Sequence, residues 1–236
     1  MDTQTRHAIK HNALIDSTHS ALGWLEEHKS EAITFAVVAL AVIAVGVGSL
    51  WFYQHRQEEA AVAFGDAMDI YSAPIAQPGV PAQPGQRTYP TAAARAQVAN
   101  TEFEKIASTY STTSYGKNAL YFAGLTDMEM GKTPQAEDTL KKAADRGDKN
   151  LSALANLALA NLYSQNGRET NAIAILNRLA AHPTTAVPAG QAKLQLAALY
   201  EKTNPAQAKK IYAELKDKDK LTAAGQIAAA KLQEMH

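Results

Sequence analysis

The feature that most constrains this chain is an uninterrupted apolar segment near its N-terminus. Residues 32–53 contain no charged residue, Pro, Asn or Gln. At about 1.5 Å per residue, a helix of this length spans roughly 33 Å, which is enough to cross a hydrocarbon core of about 30 Å. We therefore predict a single N-terminal transmembrane helix over residues 32–53.

Two other interpretations of this segment fit less well. A cleaved signal peptide has an apolar stretch of about 7–15 residues after a short basic leader, and it ends at small residues. Here the leader occupies residues 1–31, and the apolar segment ends in Trp51, Phe52 and Tyr53, aromatic residues that are typical of a membrane interface. A buried core helix of this length would be expected to have a polar face.

The flanking charges bear on orientation. Lys29 precedes the apolar segment and Arg56 follows it, so the positive-inside rule is nearly balanced, and Arg6 and Lys10 favour a cytoplasmic N-terminus. The leader, residues 1–31, has apolar residues at helical spacing from about residue 12 to residue 30, which predicts an amphipathic helix there. That helix would lie on the membrane surface or extend the span, and the residues favour neither.

The rest of the chain has the pattern of helices. After residue 53, apolar side chains recur every three or four positions, and Ala and Leu dominate. Five of the nine prolines fall in residues 74–90, which predicts a linker. This linker separates a helix continuing from the membrane, residues 54–73, from a helical domain at 91–236. We therefore predict an all-α protein.

The helical segments resemble one another at a fixed period. Each is a turn followed by a helix, and alanines stand at the same place in each copy, 36 residues apart, at Ala136, Ala172 and Ala208. A second small residue precedes each turn, at Gly124, Ala160 and Ala197. Two antiparallel helices can cross closely only where the side chains are small. The pattern therefore predicts repeated helix pairs.

A helix–turn–helix unit of about 34–37 residues with these small positions resembles the tetratricopeptide repeat. The resemblance implies an α-α solenoid. Three complete pairs are expected, at about 114–146, 150–182 and 188–217. A helix near 219–235 would cap the stack, and a helix at about 91–110 would need the helix at 55–73 as its partner.

The layout of the whole chain carries a second resemblance. A short leader, one span and an adjoining tetratricopeptide array together resemble the YfgM-like ancillary subunits of the bacterial SecYEG translocon. This implies an inner-membrane protein with a cytoplasmic N-terminus and a periplasmic array that associates with SecYEG and a membrane-anchored periplasmic chaperone. Residues 103–125 are also similar to repeats of TolA-binding periplasmic proteins. An envelope-assembly adaptor for a cell-wall or outer-membrane complex is therefore the alternative, and an enzyme subunit is the third.

Composition and motifs argue against catalysis and nucleic-acid binding. The 23 basic and 23 acidic residues balance, and there is no basic cluster of the kind that phosphate recognition needs. The chain has no cysteine, and its seven histidines do not combine with a nucleophile or a carboxylate in any catalytic motif. We expect no catalytic site, metal, cofactor or small-molecule substrate.

Stacked repeats present a concave surface lined by one face of the first helix of each pair. When Gly124, Ala160 and Ala197 are aligned at the same position of the repeat, the resemblance places eight residues on the face that the family uses to hold peptides. These residues are Asn118, Tyr121, Leu125, Leu157, Asn161, Gln191, Leu194 and Glu201. Asn161 is the most suggestive, because an amide can both donate to and accept from the backbone of an extended chain. The alternative is that these are ordinary exposed positions.

Overall fold

The computed structural model describes residues 29–77, 79, 85 and 87–235. Most of the leader, with its expected amphipathic helix, lies outside these residues. Within them, nine α-helices and no strand are present: α1 Lys29–Tyr71, α2 Ala92–Thr109, α3 Ser114–Glu129, α4 Thr133–Arg146, α5 Lys149–Gln165, α6 Glu169–Ala181, α7 Ala189–Thr203, α8 Pro205–Lys218 and α9 Ala223–Glu234. The all-α prediction is confirmed.

The chain divides into two compact units, residues 1–55 and 56–236. The first unit contains the apolar part of α1, a helix long and apolar enough to span a membrane. Its large apolar side chains are exposed; Phe35, Val45 and Leu50, for example, are each at least 66 % accessible. Since a core helix buries such side chains, their exposure favours a lipid-facing span over the core-helix interpretation.

In the second unit, the helices from α2 onward pack on one another in chain order. Each contacts the next, and α3 also contacts α5 while α7 contacts α9. Alternate helices therefore share one side of the stack, as in a solenoid of helix pairs. We call α3, α5 and α7 the A helices, and α4, α6 and α8 the B helices.

The periodic small residues lie where paired helices cross. The alanines at 136, 172 and 208 are completely buried, and their small partners on the A helices are buried as well. At Gly124, an added methyl group would lie 2.7 Å from the side chain of Leu140 on α4, so even an alanine would require Leu140 to move. The small residues therefore recur in each repeat because every A helix packs closely on its B helix at these positions.

The turns inside the first two pairs depend on glycine. Gly131 and Gly167 have φ values of +71° and +70°, in the left-handed region that other residues rarely adopt. They lie 36 residues apart, at the same place in the repeat. The third pair instead turns at Asn204, whose side chain accepts a hydrogen bond from the backbone N–H of Gln207 and caps α8.

The end of α1 completes a further helix pair with α2. Within the second unit, Ala67 and Ile70 are buried against Ala99 and Phe103. The two ends of the Pro-rich segment meet, because the N–H of Ala76 donates to the carbonyl of Tyr89 at 2.8 Å and the N–H of Tyr89 donates to that of Pro74 at 3.2 Å. The two ends of the linker therefore lie side by side, just after the end of α1.

A polar cluster lies between α2 and α3. Asp127 stands where the later A helices carry tyrosine, and its side chain is buried. The Asn100 amide donates to Asp127 Oδ1 at 3.2 Å and to Thr126 Oγ1 at 3.0 Å. Burial raises the pKa of the Asp127 carboxyl above its ordinary value. This cluster joins α2 to α3 by hydrogen bonds.

Candidate protein-binding surface

The eight residues expected on the concave face differ in exposure. Asn161 and Gln191 are exposed, and Leu157 is buried in the core. The others are half-buried: Asn118, Tyr121, Leu125, Leu194 and Glu201. Tyr121, Leu125 and Leu194 pack against the core, while the carboxylate of Glu201 accepts a hydrogen bond from the hydroxyl of Tyr212 on α8 at 2.6 Å.

One cavity opens between two A helices, α5 and α7, with part of α6 at its side. Its volume is about 310 Å³, within the range of about 300–1,000 Å³ that is typical of ligand sites. Its lining residues are Ala160, Asn161, Ser164, Glu169, Leu176, Gln195, Ala198, Leu199 and Lys202. We call this the groove cavity. It contains Asn161 but none of the other seven expected residues.

Two amide side chains lie in the groove cavity, Asn161 from α5 and Gln195 from α7. The Gln195 Oε1 atom is buried and accepts no hydrogen bond from the residues that the structure describes. Leaving such an acceptor unpaired costs about 1–3 kcal/mol. The oxygen is closed to solvent, so a ligand N–H in the cavity would pair with it and remove this cost once the Gln195 side chain turns toward the cavity. The hydroxyl of Ser164 and the opposite charges of Glu169 and Lys202 add donors and acceptors around it.

Sequence reasoning missed Gln195, although the repeat contains a signal for it. Asn161 directly follows the small residue Ala160 on α5, and Ala198 directly follows Ala197 on α7. Gln195 lies three residues before Ala198 and therefore on the same face of α7. The amide of α7 thus comes from one helical turn earlier than the amide of α5.

Glu137 on α4 is the centre of a polar network. Its carboxylate accepts hydrogen bonds from Arg168 at 2.5 Å, Lys141 at 2.6 Å and the hydroxyl of Tyr163 at 2.9 Å. The Arg168 guanidinium also lies over the Tyr163 ring, 4.2 Å from its centroid. Hydrogen bonds from Arg168 and then Lys141 lower the pKa of Glu137 to about 2. The network joins the first two complete pairs.

We expect Glu137→Gln to lower the free energy of unfolding by about 1–2 kcal/mol at pH 7, because it removes charge-assisted hydrogen bonds from a side chain only 18 % exposed. The pKa is lowered by folding, so the contribution is present above the unfolded value of 4.5 and is lost as the pH falls toward about 2. Urea unfolding of the wild type and of Glu137→Gln at pH 7 and pH 3 measures this difference in stability.

The exposed Asp217 on α8 provides the control for this prediction. Asp217→Asn is expected to change stability by less than about 0.5 kcal/mol at both pH values. If Glu137→Gln lowers the free energy of unfolding by the same amount at pH 7 and at pH 3, the role assigned to this network is contradicted.

Comparison with known proteins gives one match. A family model described as a tetratricopeptide repeat-like domain matches residues 23–236. Its coverage extends from within the leader to the C-terminal residue and so includes α1 as well as the repeats. Neither a curated protein nor a solved structure matches the chain significantly.

Proposed function

This chain belongs to the tetratricopeptide repeat-like domain family, and we propose that it is a non-catalytic, single-pass membrane scaffold whose array binds protein segments in the groove cavity. The family suggests protein interaction as the general role. The finer role that we propose is that of an ancillary factor at the SecYEG translocon, where it would assist exported proteins together with a membrane-anchored periplasmic chaperone.

The observation that carries the protein-binding role is the unpaired Gln195 Oε1 opposite Asn161 in the groove cavity. An extended peptide offers backbone N–H and C=O groups in alternation, which are the partners that two side-chain amides need. With the Gln195 amide turned toward the cavity, binding would give its oxygen the donor that it lacks among the described residues. The half-buried apolar side chain of Leu199 would contact the peptide between these polar groups.

The proposed location is the bacterial inner membrane, with the N-terminus in the cytoplasm and the array in the periplasm. The exposed apolar surface of α1 supports the span, and Arg6 and Lys10 support this orientation. Alkaline phosphatase fused to the C-terminus is expected to be active, since the enzyme folds only after export. An inactive fusion that is present at normal abundance would overturn the orientation.

The partner is tested by crosslinking in cells, followed by purification in mild detergent. We expect translocon subunits with the wild-type chain and about five- to tenfold less of them with Asn161→Ala combined with Gln195→Ala, because each substitution removes a polar contact worth about 0.5–1.5 kcal/mol. Lys210→Ala, at an exposed site on α8, is the control and should not reduce recovery. Recovery of cell-wall or outer-membrane assembly proteins instead would favour the adaptor role.

A further inference from the structure

A second and larger cavity lies on another face of α5. Its volume is about 810 Å³, and B helices α4 and α6 form its two sides. Its lining residues are Lys141, Ala144, Asp145, Ser152, Asn156, Leu159, Tyr163, Arg168, Asn171, Ala174, Ile175 and Arg178. None of them lines the groove cavity. We call this the rear cavity.

Arg178 is the cation on the α6 side of the rear cavity that can accept a new anionic partner. Its Nη2 donates to Asn156 Oδ1 at 3.0 Å. Because that acceptor is a neutral amide, the bond orients the guanidinium without neutralising it. None of the ion pairs between described residues includes Arg178. An oriented and uncompensated guanidinium is well suited to bidentate recognition of a carboxylate.

Two further cations line the rear cavity, Lys141 and Arg168. Both donate to Glu137, yet their side chains remain 54 % and 43 % exposed. Asp145 is the carboxylate among the lining residues. With Glu137 counted beside it, three cations face two carboxylates, which leaves a net charge of +1 around the cavity.

Part of the surface between these cations is apolar. Ala144, Leu159, Ala174 and Ile175 line it, with Leu159 buried and Ile175 half-buried. A free phosphate or carboxylate ion would occupy only a small part of this volume and would leave the apolar surface uncovered. A peptide with small apolar side chains between acidic ones would cover the apolar surface and place carboxylates near the cations.

We propose that the rear cavity binds an acidic segment of a protein partner, with Arg178 as its principal anchor. The site uses the B-helix side of the stack and is independent of the groove cavity, so the array has two protein-binding surfaces. Asn156 is a positioning residue, since it holds the Arg178 side chain and acts on the ligand through it.

The test uses the full chain in an uncharged detergent and a fluorescent peptide of sequence Glu-Glu-Ala-Ala-Glu-Glu. Fluorescence anisotropy is expected to detect binding that weakens with salt. Arg178→Gln should raise the Kd about tenfold. Lys210→Gln removes the same charge from α8, outside the cavity, and should change the Kd less than twofold. The peptide with Gln in place of Glu should bind at least tenfold more weakly.

The outcomes that overturn the proposal are equally defined. No binding to the wild-type chain at millimolar peptide would exclude the site, and an unchanged Kd for Arg178→Gln would exclude the anchor. Equal losses for Arg178→Gln and Lys210→Gln would indicate non-specific attraction to positive charge. Asn161→Ala combined with Gln195→Ala should leave this Kd unchanged, which separates the rear cavity from the groove cavity. Thermal melts establish that each variant is folded.

Discussion

Replacing Gly116 with Ala is expected to lower the free energy of unfolding of the array by more than about 3 kcal/mol. A methyl group at this position would lie 1.9 Å from the carbonyl oxygen of Tyr110 and 2.5 Å from its carbonyl carbon. Both are backbone atoms, so no side-chain rotation can relieve the overlap. The turn between α2 and α3 would have to open, and urea unfolding followed by circular dichroism measures the loss.

The same turn shows why the backbone approaches so closely. Thr113 caps α3 by accepting from the N–H of Gly116 at 3.0 Å, and its hydroxyl donates to the Tyr110 carbonyl at 2.8 Å. One threonine side chain thus holds both sides of the turn together. An alanine at 116 is therefore expected to break both hydrogen bonds as well as to overlap with Tyr110.

Gly65→Ala is the matched control, because it makes the same substitution in a helix with nothing within 4 Å of the added methyl group. It is expected to raise the free energy of unfolding by about 0.5–1 kcal/mol, as alanine favours the helix over glycine. Opposite signs for the two variants would support the packing described for Gly116. A loss at Gly116 smaller than about 1 kcal/mol would contradict it.

Phe103→Ala is expected to lower the free energy of unfolding by about 3–5 kcal/mol. The Phe103 side chain is completely buried. Its ring centroid lies 5.3 Å from that of Phe122 on α3, 5.8 Å from that of Phe64 and 6.1 Å from that of Tyr71, both at the end of α1. Removing the ring would leave a cavity between three helices. Urea unfolding gives the magnitude.

Two further variants determine which helices contribute to this loss. Val98→Ala, on the exposed side of α2, should change stability by less than about 0.5 kcal/mol. Phe64→Ala should lower the free energy of unfolding by at least about 2 kcal/mol if the end of α1 pairs with α2. A large effect at Phe103 with none at Phe64 would mean that α2 packs without α1.

The fold could be predicted from sequence to the extent that it is repetitive. The alanines at 136, 172 and 208 and the glycines at 131 and 167 recur because every helix pair needs a close crossing and a tight turn. The pairing of the end of α1 with α2 could not be predicted from the repeat. It depends on hydrogen bonds between Ala76 and Tyr89 and on contacts of Phe103 with α1, which no local pattern reveals.

The candidate site was only partly predictable for a related reason. The position in the repeat assigns a residue to a face of its helix, but contacts with neighbouring helices determine whether its side chain is available to bind a ligand. Leu157 is on the expected face yet lies in the core, and Glu201 is held by Tyr212 from α8. Asn161 is exposed in the groove cavity, whereas Gln195 lines it from one helical turn before Ala198, the residue that corresponds to Asn161 in the repeat.

The measurement that tests the central claim most directly is site-specific photocrosslinking in cells. A photoreactive benzoylphenylalanine is placed at position 161, in the groove cavity, and separately at position 210, on the exposed side of α8. The proposed function predicts crosslinks to translocon subunits or exported proteins from position 161 and none from position 210. No crosslinked protein from position 161, or the same products from both positions at equal yield, would contradict a scaffold that binds proteins through its groove.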